Sequence, residues 1–321
     1  MDTRQSTVHF DTGRPTAPSA GGTDKKKILT LAAFALTIAV LLCFCTVIIA
    51  EIVYKVNGES GPLNSAGDIK FTTVSLSSGE VNRGELLIVN KSYPLKDKSA
   101  AGELVNVYDY NRAAPARSSY LDGSKISLLP GTVIAFNKLT NDLKSETGCE
   151  DVLLAYGYLV PKANTVECDY QHELGTVLDI KIINDEGTYK LSDVEAVAAW
   201  FKNNAHEYGF INSDPVGEYA HGSDETVAST QFRYVGVAHA SYIAKNGMDL
   251  ESYVADIRSK YKLGGEHLRF VGADGDSYEV YYVPVSGSTT SVSVPENYEY
   301  TVSGDNIGGF IVTVNLSKPV K

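Results

Sequence analysis

Positive charge is scarce in this chain: 28 Lys and Arg stand against 39 Asp and Glu among 321 residues, a net charge of −11. The first 27 residues carry five Lys/Arg and three Asp, net +2, which leaves −13 for residues 51–321 because residues 28–50 hold no charged side chain. An acidic body of this kind speaks against a nucleic acid or an anionic surface as its partner. Cysteine is scarce too. Of the four, Cys43 and Cys45 fall inside an apolar run, where they read as small apolar side chains. That leaves Cys149 and Cys168 as the one pair that an oxidising compartment could bridge. No internal repeat of useful length occurs, so a repeat architecture is not indicated.

Residues 28–50, ILTLAAFALTIAVLLCFCTVIIA, lack charge, proline and glycine. At about 1.5 Å per residue the run spans roughly 34 Å as a helix, enough for a hydrocarbon core of about 30 Å. It is too long for the apolar region of a cleaved signal peptide, and Glu51, Val53 and Tyr54 follow it in place of small residues. It reads as a retained membrane anchor. Lys25, Lys26 and Lys27 precede it and Glu51 follows, so the positive-inside rule places the N-terminus in the cytoplasm and the rest of the chain outside.

Residues 1–27 are expected to form a disordered cytoplasmic tail and 51–83 a linker with one short strand. Beyond them ELLIVN, DVLLAYGYLV and VLDIKII read as buried strands, and AFNKLTNDLKS as a helix stopped by Thr147-Gly148. Residues 191–208 read as a helix opened by Ser192 and Asp193 with Glu195 at capping-box spacing. Residues 234–245 and 249–260 read as two more helices. From about Gly265 the texture turns to alternating strands: LRFVGADGDSYEVYYVPV is a hairpin, and SVSVP, YEYTVSG and GGFIVTV follow. Asp274 and Asp276 lack the further ligands of a calcium loop and belong to the hairpin turn. The fold class is α+β: a domain over 84–262 and a small β module over 263–321.

His172 and Asp179 stand seven residues apart in YQHELGTVLDIKI. Taken alone, a single histidine beside apolar residues is more often structural than a ligand. The segment HELGTVLD, however, resembles the H-x-x-G-x-A-x-D signature of VanY-type D-alanyl-D-alanine carboxypeptidases, zinc peptidases related in fold to the hedgehog signalling domain. Further matches follow in the family's order: LLIVNKSYPL, the AFNKLTNDLKS helix, LLAYGYL, WFKNNAHEYGFI and FRYVGVAHASYIAKNGMDLESYV. The resemblance covers roughly residues 84–260. It implies a hedgehog/D,D-peptidase-like fold and a zinc ion held by His172, Asp179 and a second histidine in a Glu-x-x-His motif. Two imidazoles and one carboxylate leave a fourth position for a water that the metal acidifies, and the glutamate takes its proton.

The second half of that motif is missing. Counting back from Arg233-Tyr234-Val235-Gly236, the third ligand position is Gln231, the tryptophan position Thr230 and the general-base position Ala228. An alanine moves no proton, and a carboxamide oxygen is a poor zinc donor beside imidazole or carboxylate. Gly157-Tyr158-Leu159 replaces the family's Gly-Tyr-Arg, and Tyr170-Gln171 its Ser-Glu. His221, Asp224 and Glu225 lie six to ten residues before Gln231 and offer replacement ligands, but read as solvated loop polars. His206 and His239 match non-ligand positions, and His267 reads as a surface residue of the β module.

The expectation is therefore a membrane-anchored, extracytoplasmic VanY-like protein of the bacterial cell wall with catalysis weak or lost. Peptidoglycan stem peptide or an envelope protein would be its partner. The alternative is an active zinc D,D-carboxypeptidase with a changed ligand set, or a structural member of an envelope complex.

Overall fold

The computed structural model describes residues 69–97, 102–113, 119–159, 169–213 and 229–320, all within one unit, Ser60–Lys321. The expected cytoplasmic tail and the anchor over 28–50 lie outside the described residues, as do Cys168, His221, Asp224, Glu225 and Ala228. Among the described residues no helix is long and apolar enough to cross a membrane.

The described residues open with strand β1 (Phe71–Ser77) and run through a short 3-10 turn to β2 (Val105–Asn106), helix α1 (Val107–Ala113), β3 (Tyr120–Leu121) and β4 (Ser127–Leu128). Helix α2 (Pro130–Thr147) comes next, five residues longer at its start than the sequence pattern because Pro130 takes the first helical position. It ends, as expected, where Gly148 adopts a left-handed φ of 77°. Strand β5 (Val152–Tyr156), the single turn α3 (Asp169–His172), β6 (Val177–Asn184) and β7 (Gly187–Tyr189) lead to α4 (Glu195–Asn204). The start of α4 differs from the expected cap: Val194 holds the N-cap position without a side-chain bond, and the Asp193 carboxylate accepts from Lys190 N–H (3.1 Å) to close a preceding 3-10 turn. Strands β8 (Phe210–Asn212) and β9 (Thr230–Tyr234) precede α5 (Val237–Asn246) and α6 (Leu250–Lys260), the latter capped by Asp249 accepting from Ser252 N–H. The C-terminal part is β10 (Leu268–Val271), β11 (Ser277–Pro284), β12 (Thr289–Pro295), β13 (Tyr298–Gly304) and β14 (Gly309–Pro319).

Six strands make the central sheet, in the order β3-β5-β6-β9-β8 with β7 on β6. One core packs Phe136, Leu143, Trp200, Phe201 and Phe232 with the β5 and β6 side chains Leu154 and Ile180. A second core joins Val235, Ile243, Tyr253 and Ile257 of α5, α6 and their approach to Val280 and Ile311 of the sheet β10-β11-β14-β13. The boundary expected at residue 262 thus cuts through a shared core. The β module also recruits the expected linker, because β1 pairs antiparallel with β12 along its whole length.

ELLIVN forms no strand. Its period-two alternation survives in the burial: Leu86 and Ile88 join the second core while Leu87 and Val89 pack with Leu95 and Leu174. Its backbone pairs with other groups. Ile88 N–H donates to Asp305 O (3.1 Å), Asn306 Nδ2 donates to Ile88 O (2.9 Å), and Arg233 donates to Glu85 O (3.0 Å) and Leu87 O (2.7 Å). Loop and side-chain donors replace a neighbouring strand.

His239 fixes α5 to α6 and β14. Its Nδ1 faces the Tyr253 hydroxyl (2.8 Å) and its Nε2 the Thr313 hydroxyl (3.0 Å). Burial lowers its pKa to about 4, whereas an unfolded histidine titrates near about 6.5. The neutral ring therefore favours the folded state above about pH 6.5, and that contribution fades as pH falls towards 4, a loss of about 3 kcal/mol. Urea denaturation across this range should show that loss, and His239→Asn should remove this part of the slope.

Candidate functional site

The site is built where α3 turns into β6 and β6 meets β9. His172 ends the single turn α3, and Gly175, at φ 68°, reverses the chain so that β6 starts at Val177. A Cβ at Gly175 would lie 2.6 Å from the movable Leu104 Cδ2, so it is the left-handed backbone that calls for glycine here. Asp179 lies opposite Gln231 in the antiparallel register of β6 and β9, which puts the two side chains on one face. The three sequence-predicted positions come together, all of them buried.

His172 Nδ1 approaches the carbonyl of Gly157. A carbonyl only accepts, which assigns a ring proton to Nδ1 and leaves Nε2 to accept from the Gln231 NH2. The missing side chain of Gly157 lets its backbone lie against β4, since a Cβ there would lie 2.7 Å from Ser127 O. Nε2 faces Asp179 Oδ1 at 3.2 Å and Gln231 Nε2 at 3.2 Å. Ser229 Oγ donates to Asp179 Oδ2 (3.1 Å), and Ser213 Oγ donates to Gln231 Oε1 (2.8 Å). Gln231 is thus held at both ends, its oxygen by Ser213 and its NH2 at the imidazole lone pair.

This donor set does not fit the zinc site that the sequence resemblance implies. His172 and Asp179 could ligate, but the third position presents N–H groups to the very lone pair a metal would need, and its oxygen is already engaged. Among the described residues no group of three or more His, Cys, Asp and Glu could hold a metal ion. Ala228, in the general-base position, lies outside the described residues, and its methyl group carries no proton chemistry in any case.

The other histidines are elsewhere. His206 sits in the 3-10 turn after α4, its pKa lowered by burial. His239 is in the second core. His267 departs from the expected surface position: it stacks on Tyr281 with ring centroids 4.4 Å apart and bonds Glu279 at 2.7 Å. Asp274 accepts from the Tyr278 hydroxyl (2.6 Å), in keeping with a hairpin turn. Cys149 is a half-buried free thiol whose pKa is raised by burial, and its expected partner Cys168 is outside the described residues. Sequence reasoning missed Ser213, Ser229 and the Gly157 carbonyl, because no spacing rule marks a hydroxyl or a backbone oxygen as part of such a network.

No family model matches the chain. It is 26% identical over 281 residues to a D-alanyl-D-alanine carboxypeptidase of Enterococcus faecium, with 81% of this chain and 85% of that protein covered. Among solved structures it is similar to the vancomycin resistance D,D-dipeptidase VanXYg, crystallised with a D-Ala-D-Ala phosphinate analogue, at a TM-score of 0.57 and 23% identity over 77% of this chain and 99% of that one. The complex of VanYB with D-alanine-D-alanine matches at a TM-score of 0.37 and 19% identity, over 53% of this chain and 97% of that one. The chain has the fold of the VanY-type zinc D,D-peptidases.

Proposed function

We propose that the chain is a cell-wall D,D-peptidase homologue that binds the peptide of the wall through the old cleft while hydrolysing it weakly or not at all, held at the membrane by residues 28–50. The observation that carries this reading is the Gln231 carboxamide, locked between Ser213 and His172 where a metal ligand would stand. Ala228 supports it independently, since loss of a general base alone costs about 10² to 10⁴ in rate. Scaffold and site have separate fates, because function resides in the site. The kinship with a D-alanyl-D-alanine carboxypeptidase points to a stem peptide as the ligand in preference to an envelope protein.

The test is to incubate the full-length chain and zinc with a stem pentapeptide ending in D-Ala-D-Ala. The expected outcome is binding, read by calorimetry, with any release of D-alanine unchanged by zinc and by His172→Ala. Zinc-dependent release that disappears in His172→Ala would establish the alternative, an active carboxypeptidase with a changed ligand set.

A further inference from the structure

The edges of β-sheets are normally protected by brevity, charge or cover, because an unpaired strand accepts another one. Most edges here follow that rule: β3 and β8 have two and three residues, β10 carries Arg269 and β13 carries Glu299. Strand β1 does not. Its seven residues, FTTVSLS, hold no charge, proline or glycine, and it pairs on one side only, with β12.

The register identifies which backbone groups of β1 are spare. Ser78 N–H donates to Ser288 O (2.9 Å) and Glu296 N–H donates to Lys70 O (2.8 Å), at the two ends of the β1–β12 ladder. Bonded pairs alternate along an antiparallel ladder, so Thr72, Val74 and Leu76 turn their N–H and C=O groups to β12, while Phe71, Thr73, Ser75 and Ser77 turn theirs outwards. Pro295, which has no N–H, stands opposite Phe71 in keeping with that phase. The outward N–H of Ser77 donates to the Glu80 carboxylate (2.6 Å), which closes that end. No hydrogen bond reaches the backbone groups of Phe71, Thr73 or Ser75 among the described residues. The outward side of β12 is blunted by comparison, since Pro295 offers no donor and Ser293 O accepts from the Tyr281 hydroxyl (2.6 Å). Val74 and Leu76 pack on the β module, whereas Phe71, Thr73 and Ser75 are exposed.

We propose that β1 pairs with β1 of a second copy of this chain, antiparallel across a two-fold axis at Thr73, so that two two-stranded ribbons join into one sheet. The free groups at Phe71, Thr73 and Ser75 are symmetric about Thr73, which makes the edge complementary to itself. Thr73 opposes its own copy, Phe71 opposes Ser75 of the second copy, and each opposed pair exchanges two hydrogen bonds. With no charged side chain on the strand, no like charges meet at the junction. One shared edge is a small contact, and the chain before it supplies what that contact lacks. Residues 51–70 lead from the apolar run to β1 and, at about 3.3 Å per residue, reach up to roughly 66 Å. Held in one membrane by residues 28–50, as proposed above, two copies meet at high effective concentration with tether to spare. The pairing geometry itself depends on neither the anchor nor the peptide cleft.

The experiment is oxidative cross-linking of the full-length chain in phosphatidylcholine vesicles, with the unaltered chain as the baseline for its own four cysteines. Thr73→Cys is expected to give a disulfide-linked dimer as the major product, because residues of a bonded pair face each other at a Cα separation of about 5.5 Å, within disulfide reach. Ser75→Cys, on the same exposed face, is expected to stay at the baseline. Its two copies would lie four residues apart along the ladder, about 14 Å, which a disulfide does not span. Vesicles holding a mixture of Phe71→Cys and Ser75→Cys chains should regain the dimer, since those positions oppose each other in the proposed register. A Thr73→Cys yield at the baseline, equal yields for Thr73→Cys and Ser75→Cys, or no gain from the mixture would overturn the proposal and leave the edge to another occupant, such as an extended peptide. A chain that fails to enter the vesicles would refute the membrane anchor alone, and the same comparison in concentrated solution then decides the pairing.

Discussion

Gln231→His should raise the affinity of the chain for zinc by at least about a hundredfold, since even a partner outside the ligand shell is worth about 10- to 100-fold. Three features make this the substitution with the largest expected effect. It removes the N–H groups that cap the His172 lone pair at 3.2 Å. It adds an imidazole opposite Asp179 in an existing register. It leaves intact the Gly157 carbonyl that sets the His172 tautomer, an orienting contact of the kind metal-bound histidines use. Competition against a zinc-chelating dye reads the change. Adding Ala228→Glu should then allow slow, zinc-dependent release of D-alanine. If Gln231→His gains no affinity, the backbone around β9 has moved out of ligating range and the identity of residue 231 is not what closes the site.

Asp305→Ala should cost about 3 to 5 kcal/mol, the scale of removing one partner from a buried ion pair. Asp305 is fully buried. Its Oδ1 accepts from the backbone N–H groups of Ile307 (2.8 Å), Gly308 (2.7 Å) and Gly309 (3.0 Å), and its Oδ2 from Tyr282 (3.2 Å) and Arg258 (3.1 Å). One carboxylate therefore shapes the turn between β13 and β14 and ties it to α6. The neighbouring Asn306 holds the Ile88 and Tyr93 carbonyls from the same turn. Through that segment the effect reaches Arg233, whose guanidinium rests on Glu85 and Leu87. Urea denaturation with an unchanged slope would identify a pure loss of native stability. Asp305→Asn, which keeps one acceptor oxygen, should cost less. A loss below about 1 kcal/mol would mean that the turn is held by its backbone alone.

Most helices and hairpins were legible in the sequence because their signals are local. Gly148 stops α2, the run over 249–260 has the pattern of α6, and the Ala-Asp-Gly-Asp turn separates two alternating runs. What escaped depends on distant partners. ELLIVN has the alternation of a strand, yet its carbonyls go to Arg233 and Asn306, and no local pattern announces a guanidinium or a carboxamide from far along the chain. The linker's one short strand was expected, but its partner was not, since β12 lies more than 200 residues away. The site divides the same way. His172, Asp179 and Gln231 were singled out by the resemblance to the VanY-type signature, whereas Ser213, Ser229 and the Gly157 carbonyl joined them only through folding. Those three decide the chemistry: Ser213 holds the carboxamide with its NH2 towards the imidazole, the Gly157 carbonyl holds the ring with its proton on Nδ1, and Ser229 holds the Asp179 carboxylate.

The most direct measurement is the zinc content of the full-length chain after equilibration with the metal and gel filtration. A carboxamide locked on the His172 lone pair predicts substoichiometric zinc that is unchanged in His172→Ala. One zinc per chain, lost in His172→Ala, would contradict it.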